Sequence, residues 1–169
     1  IDKAVQSLQK LDRKLAEAVI DGDEVADRMA IDLQQRCLQL MALQQPLARD
    51  LRVIGTVLKV VTDLERMADH ATDIAKVVLR LDGDAPPKPL LDIPLMAQRV
   101  QEMNREALDA WVQGDSERAR RMAERDDEID GLYRRLFDEL LQVMQSDPRS
   151  VRTATYLLLV AHYLERIGD

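Results

Sequence analysis

The chain has 169 residues, 46% of them hydrophobic and 33% charged, with a formal net charge of −7. That balance is globular and excludes disorder, while the negative charge makes phosphate backbones and anionic lipid poor partners, so no nucleic acid is expected. Aromatics are only 3%, Gly and Pro number six each, and the filling residues are straight-chain or small, which points to an all-α fold and away from sheets.

The predicted elements run as follows. Residues 1–10 read as a short helix. Residues 13–43 read as one long helix, with Leu15, Ala18, Gly22, Val25, Met29, Leu33, Cys37 and Leu40 holding a rhythm of three and four. Residues 47–81 read as a third, with Leu51, Ile54, Leu58, Val61, Ala68 and Ala75 as its stripe. The Pro- and Gly-rich stretch 82–89 breaks any helix. Helices follow at 93–112, at 116–145 behind the N-cap candidate Asp115, and at 149–169 behind Pro148. The longest apolar run, 153–163, falls short of the ~20 residues a membrane span needs. Cys37 is the sole cysteine, so no intrachain disulfide is expected, which fits a reducing cytoplasm; a small buried hydrophobe is its ordinary role.

The chain repeats itself. Arg52, Leu58, Val60, Leu64, Glu65, Arg66 and Asp69 recur 100 positions later as Arg152, Leu158, Val160, Leu164, Glu165, Arg166 and Asp169. Upstream the offset is 103: Ala4, Asp12, Ala16, Asp23, Asp27, Leu33 and Leu38 recur as Ala107, Asp115, Ala119, Asp126, Asp130, Leu136 and Leu141. The offset changes where insertions belong, in the connections near Gln44–Asp50 and Ser146–Pro148. The expectation is therefore two tandem three-helix bundles related by internal duplication, 1–82 and 92–169, joined by a linker at 83–91. Matching the copies also predicts that the first helix of copy one lacks its start and the last helix of copy two lacks its end.

Four like-charge pairs stand one helical turn apart: Asp23/Asp27, Glu65/Asp69, Asp126/Asp130 and Glu165/Asp169. Such pairs destabilise an isolated helix, so their presence at matched positions in both copies needs a reason. Glu65 and Glu165 fall on the core-facing rhythm beside small residues, and Asp73 extends the first stripe by a turn. One reading is solvated surface neutralised by Arg28, Arg66, Arg125 and Arg166. The other is an oxygen site for hard cations, Mg²⁺, Mn²⁺ or iron, with zinc a worse match because it recruits Cys or His. Without an ion the carboxylates should repel one another and raise their own pKa values. His70 is placed as a rim residue and His162 as hydrogen-bonded to a helix neighbour. No Gly-rich phosphate loop, nucleophile elbow or Glu-x-x-His pair appears, so an enzyme is not expected.

The duplicated Asp-Leu-Glu-Arg-Met-Ala-Asp-His at 63–70 and Tyr-Leu-Glu-Arg-Ile-Gly-Asp at 163–169 resemble the signature of PhoU proteins, regulators of bacterial phosphate uptake. Gln45-Pro-Leu-Ala-Arg-Asp-Leu-Arg52 and Asp126-Asp-Glu-Ile-Asp130 are similar to that family's segments before the third helix and on the second. The resemblance implies multinuclear metal clusters, of iron or other divalent ions, held by Asp23, Asp27, Glu65, Asp69, Asp126, Asp130, Glu165 and Asp169. It also implies a cytoplasmic, often dimeric protein that restrains phosphate uptake and the starvation response, in contact with the ATPase subunit of the phosphate ABC transporter and with a sensor histidine kinase. Two alternatives stand beside it: an accessory of another phosphate permease, and a metal-dependent hydrolase or oxidase.

Overall fold

The computed structural model describes residues 1–81 and 92–169, apart from the side chains of residues 123 and 124. Every regular element among them is helical. The order is α1 (Asp2–Lys10), α2 (Arg13–Asp21), α3 (Asp23–Gln44), α4 (Ala48–Leu81), α5 (Ile93–Gln113), α6 (Ser116–Ser146), a 3₁₀ turn (Pro148–Ser150) and α7 (Val151–Gly168). The linker stretch predicted at 83–91 lies outside the described residues. No helix among those described is long and apolar enough to cross a membrane.

The same device stands before α2 and before α6. α1 ends at Leu11 with φ 49°, where Asp12 N–H donates to Ser7 O at 2.9 Å. α5 ends at Gly114 with φ 68°, where Asp115 N–H donates to Ala110 O at 2.9 Å. Both are left-handed C-caps, and Leu11 accepts a strained φ that Gly114 adopts freely. The next residue then caps the following helix. Asp12 accepts from Leu15 N–H at 3.0 Å and Asp115 from Arg118 N–H at 2.9 Å.

Two expectations need correction. The single helix predicted over 13–43 is two, because the chain turns at Gly22, whose N–H donates to Val19 O at 3.2 Å. Glycine has the lowest helix propensity after proline, and α6 runs unbroken where Arg125 stands at the matched position. The stripe on 13–43 is also not core along its whole length. Val25, Met29, Leu33 and Leu40 are exposed, as are Leu51 and Leu64 opposite them. α1 is too short to reach that part of the hairpin, whereas α5 covers the matched part of α6 and α7.

α4 of the first copy lies along α7 of the second, so the matched third helices form the seam between the bundles. One core runs across it, with Ile74, Val77 and Leu81 from α4, Ile93, Met96 and Val100 from α5, Leu132 and Leu136 from α6, and Leu157, Leu164 and Ile167 from α7. Gly168 permits a close approach there: a Cβ at this position would sit 3.1 Å from Ile129 Cδ1. The 34 residues of α4 span about 50 Å at the α-helical rise.

Candidate metal centres

α3 begins at Asp23, and the positive end of its dipole offsets the charges of Asp23 and Glu24 in its first turn. Asp27 follows one turn on. α4 packs against α3 and brings Asp69 to the same place, so that one oxygen each from Asp23, Asp27 and Asp69 lie within 4.8 Å of one another. Thr72, one turn beyond Asp69, donates to Asp23 Oδ1 at 3.0 Å. Glu65 stands one turn before Asp69 and shares with Asp27 the wall of a cavity of about 300 Å³, together with Ala30, Ile31, Gln34 and Thr62.

The electrostatics are those of crowded anions. Burial raises the Glu65 carboxyl above its ordinary value, and Asp69, Asp27 and Asp23 raise it further against the pull of Arg66. Asp69 is raised in the same way, by loss of hydration and then by Asp23, Asp27 and Asp73. The arginine expected to neutralise the pair on α3 points elsewhere: Arg28 lies 3.7 Å from Glu24. Lys76 is held by Asp73 at 2.9 Å.

In the second copy Asp126 is raised by loss of hydration, then by Asp169, Asp130 and Asp127. Glu165 is raised by burial and by Asp169, with His162 and Arg166 acting against both. These four residues therefore share one electrostatic neighbourhood, but their oxygens converge less. Among the described residues only the first copy brings three donor atoms within 4.8 Å. Asp130 is held by Arg134 at 3.0 Å and Asp169 by Arg166 at 2.6 Å. The position matching Arg134 in the first copy is Ile31, which has no charge to offer. Glu165 Oε2 is buried without a hydrogen-bond partner, with His162 Nδ1 3.4 Å away. Arg125 pairs with Glu106 at 2.9 Å and leaves Asp126 unpaired by it.

The histidines sit at the seam and its flank. His70 stacks on Tyr163 of the other copy at 5.7 Å between ring centroids, with its Nδ1 buried and unpartnered. Sequence reasoning missed Thr72 and Arg134. Arg134 stands four residues after Asp130, an ion-pair spacing readable from the sequence. Thr72 had no such signal, because its partner is 49 residues away.

A cluster of carboxylate oxygens such as that of Asp23, Asp27 and Asp69 is a donor set for hard cations and not for the softer metals that favour thiolate or imidazole. The fit is better in the first copy, where no described cation claims Asp23, Asp27 or Asp69.

Comparisons with known proteins agree with this arrangement of two copies. The family described as PhoU domain matches residues 1–78 and again 93–169. A phosphate-specific transport system accessory protein PhoU homolog of Clostridium acetobutylicum is 42% identical over 166 residues, 98% of this chain and 76% of that protein. Its counterpart in Aquifex aeolicus is 41% identical over 98% of this chain and 75% of its own length. The crystal structure of PhoU from Pseudomonas aeruginosa superposes with a TM-score of 0.94 at 32% identity, covering 99% of this chain and 81% of that one. That of the phosphate transport system regulatory protein PhoU from Streptococcus pneumoniae gives 0.90 at 29% identity, covering 99% of this chain and 79% of its own.

Proposed function

The chain belongs to the PhoU family, and on that premise we propose that it is a non-enzymatic, metal-binding regulator of phosphate uptake and of the phosphate-starvation response. In this reading it works in the cytoplasm, as a homodimer, by contact with the ATPase subunit of the phosphate ABC transporter and with its sensor kinase. The relatives' names support the phosphate side, since each is called an accessory protein of the phosphate-specific transport system. The metal side is supported by one observation above the rest: the convergence of Asp23, Asp27 and Asp69, three carboxylates that destabilise one another unless a cation joins them.

Asp23, Asp27, Glu65 and Asp69 would hold one ion or cluster, and Asp126, Asp130, Glu165 and Asp169 the other. Iron, Mg²⁺ and Mn²⁺ suit the oxygens; zinc suits them less. A bound cation would supply charge neutralisation on an otherwise anionic surface. The protein's own groups fix its place: the α3–α4 packing sets the spacing, and Thr72 orients Asp23.

The deciding experiment uses a phosphate-responsive reporter in a deletion strain grown at high phosphate. Loss of the protein should switch the reporter on, and the wild type should silence it again. A reporter that stays silent in the deletion strain overturns the regulatory reading. Complementation by Glu65→Ala combined with Glu165→Ala then asks whether the metal sites serve it; full silencing by that double variant removes them from the function. Sedimentation at tens of micromolar that shows only monomer rejects the homodimer.

A further inference from the structure

The tips of the two matched hairpins differ in chemistry. The chain turns between α3 and α4 at residues 45–47 and between α6 and α7 at residues 147–150. At the offset of 103, Asp138, Glu139, Ser146 and Asp147 of the second copy stand where the first has Gln35, Arg36, Leu43 and Gln44. The first connection is also longer, by residues that include Leu47. One tip is therefore acidic and polar, the other apolar and basic.

Leu43 and Leu47 are 77% and 80% exposed, and Leu40 and Leu51 beside them are exposed as well. Gln45 at φ 46° and Ala48 at φ 43° hold the turn in a left-handed backbone that non-glycine residues seldom adopt. Leucines grouped in this way on a tip are unfavourable in water unless something covers them. The matching end of the second copy lies beyond the reach of α5, which begins at Ile93 near Arg135, 4.0 Å from Asp92, and leaves Leu141 and Val151 exposed.

The charge around these leucines is opposite to that of the chain. Residues 37–62 carry Arg49, Arg52 and Lys59 against the single acid Asp50. Arg49 and Arg52 are exposed and make no ion pair among the described residues. On α3, Asp32 is taken by Arg36 at 2.8 Å. The next acid along α4, Asp63, is about 22 Å from Ala48 at the helical rise, more than twice the roughly 8 Å screening length at physiological salt. The net charge of −7 therefore does not describe this end of the molecule. A second copy is a poor cover, because two such tips repel each other through Arg49 and Arg52. A partner helix needs a groove between elements, whereas the recess at Arg36, Gln39, Leu40, Leu43 and Gln44 is walled by α3 alone. The headgroup layer of an anionic bilayer suits the tip better. There leucines enter the apolar boundary while arginines meet phosphates.

We propose that the tip of the α3–α4 hairpin docks on an anionic phospholipid surface, with Leu43 and Leu47 inserted among the headgroups and Arg49 and Arg52 on the lipid phosphates. The tip is about 30 Å along α4 from Asp69, so the proposal is independent of the metal reading.

The test is co-sedimentation of the full-length protein with vesicles of phosphatidylcholine alone and of phosphatidylcholine mixed with phosphatidylglycerol. The expected result is binding to the mixed vesicles only, falling as salt is raised. Leu43→Ser with Leu47→Ser, and separately Arg49→Gln with Arg52→Gln, should each weaken it about tenfold or more with the helical signal unchanged. Arg149→Gln, at the tip of the other hairpin, should leave it as it was. No binding, equal binding to both kinds of vesicle, or full binding by either double variant overturns the proposal. So does binding that appears only when the vesicles carry the transporter, which would make the tip a protein contact.

Discussion

Thr72 donates a 3.0 Å hydrogen bond to Asp23 and so ties α4 to the first turn of α3 inside the first carboxylate cluster. A carboxylate oriented this way has lost part of its rotamer freedom before any ion arrives. Hydrogen-bond partners of metal ligands are commonly worth about 10–100-fold in metal affinity. Thr72→Val keeps the shape and removes the donor. Mn²⁺ titration by calorimetry should then show first-site affinity weakened at least about tenfold, with the helical signal intact. Unchanged affinity would mean that the bond is structural only.

The raised carboxylates make a statement about pH. Glu65 and Asp69 sit above their ordinary values of 4.5 and 3.8. The folded state therefore holds these protons more firmly than the unfolded one. Between the ordinary value and the raised value the native state binds more protons, so stability falls as pH rises through that window. Metal-free protein should be more stable at the low end of it, as far as these groups decide. His70 acts in the opposite sense, since burial lowers its pKa and acid then favours the unfolded chain. Comparison with Glu65→Gln removes that contribution. The Tm of the wild type relative to Glu65→Gln should drop as pH is raised from about 4.5 to neutrality, and Mg²⁺ should restore it. A difference flat in pH would show that Glu65 does not titrate in this range.

Much of the fold was legible because its signals are local. Helix type and the capping residue Asp115 follow from rhythm and a single aspartate. The candidate residues were legible because duplication repeats them. What could not be read is distance across the chain. Spacing placed both clusters on equal footing, yet three oxygens converge in the first copy while Arg134 and Arg166 draw two carboxylates aside in the second. Mutual repulsion was foreseen as the cause of the raised pKa values, but loss of hydration is the larger cause at Glu65, Asp69, Asp126 and Glu165. Hydration depends on tertiary packing, which no spacing rule contains. The turn at Gly22 was overlooked for the related reason that a glycine on the apolar rhythm looks like a small core residue.

Asp12 and Asp115 cap matched helices with bonds of 3.0 and 2.9 Å, so their removal should cost alike. Each change to Ala should lower stability by about 1 kcal/mol, read from denaturant midpoints at constant m. Equal and negligible losses would show that water replaces both caps.

The two clusters should not bind alike. In the first, Ile31 occupies the place where the second has Arg134, and the oxygens of Asp23, Asp27 and Asp69 already lie together with no described ion pair to displace. In the second, a cation must displace Arg134 from Asp130 and Arg166 from Asp169 before both carboxylates can ligate. Surface pairs of this kind are weak, worth up to about 1 kcal/mol each, so the second site should still fill, at higher metal concentration. Stepwise Mn²⁺ titration should resolve a tighter and a weaker event. Asp69→Asn should remove the tighter one and Asp126→Asn the weaker. Arg134→Ile, which copies the first site into the second, should bring the two affinities closer together. Two indistinguishable events in the wild type, or an Arg134→Ile protein whose second event weakens, would show that the arginine helps to build the second site and does not compete with the ion for it.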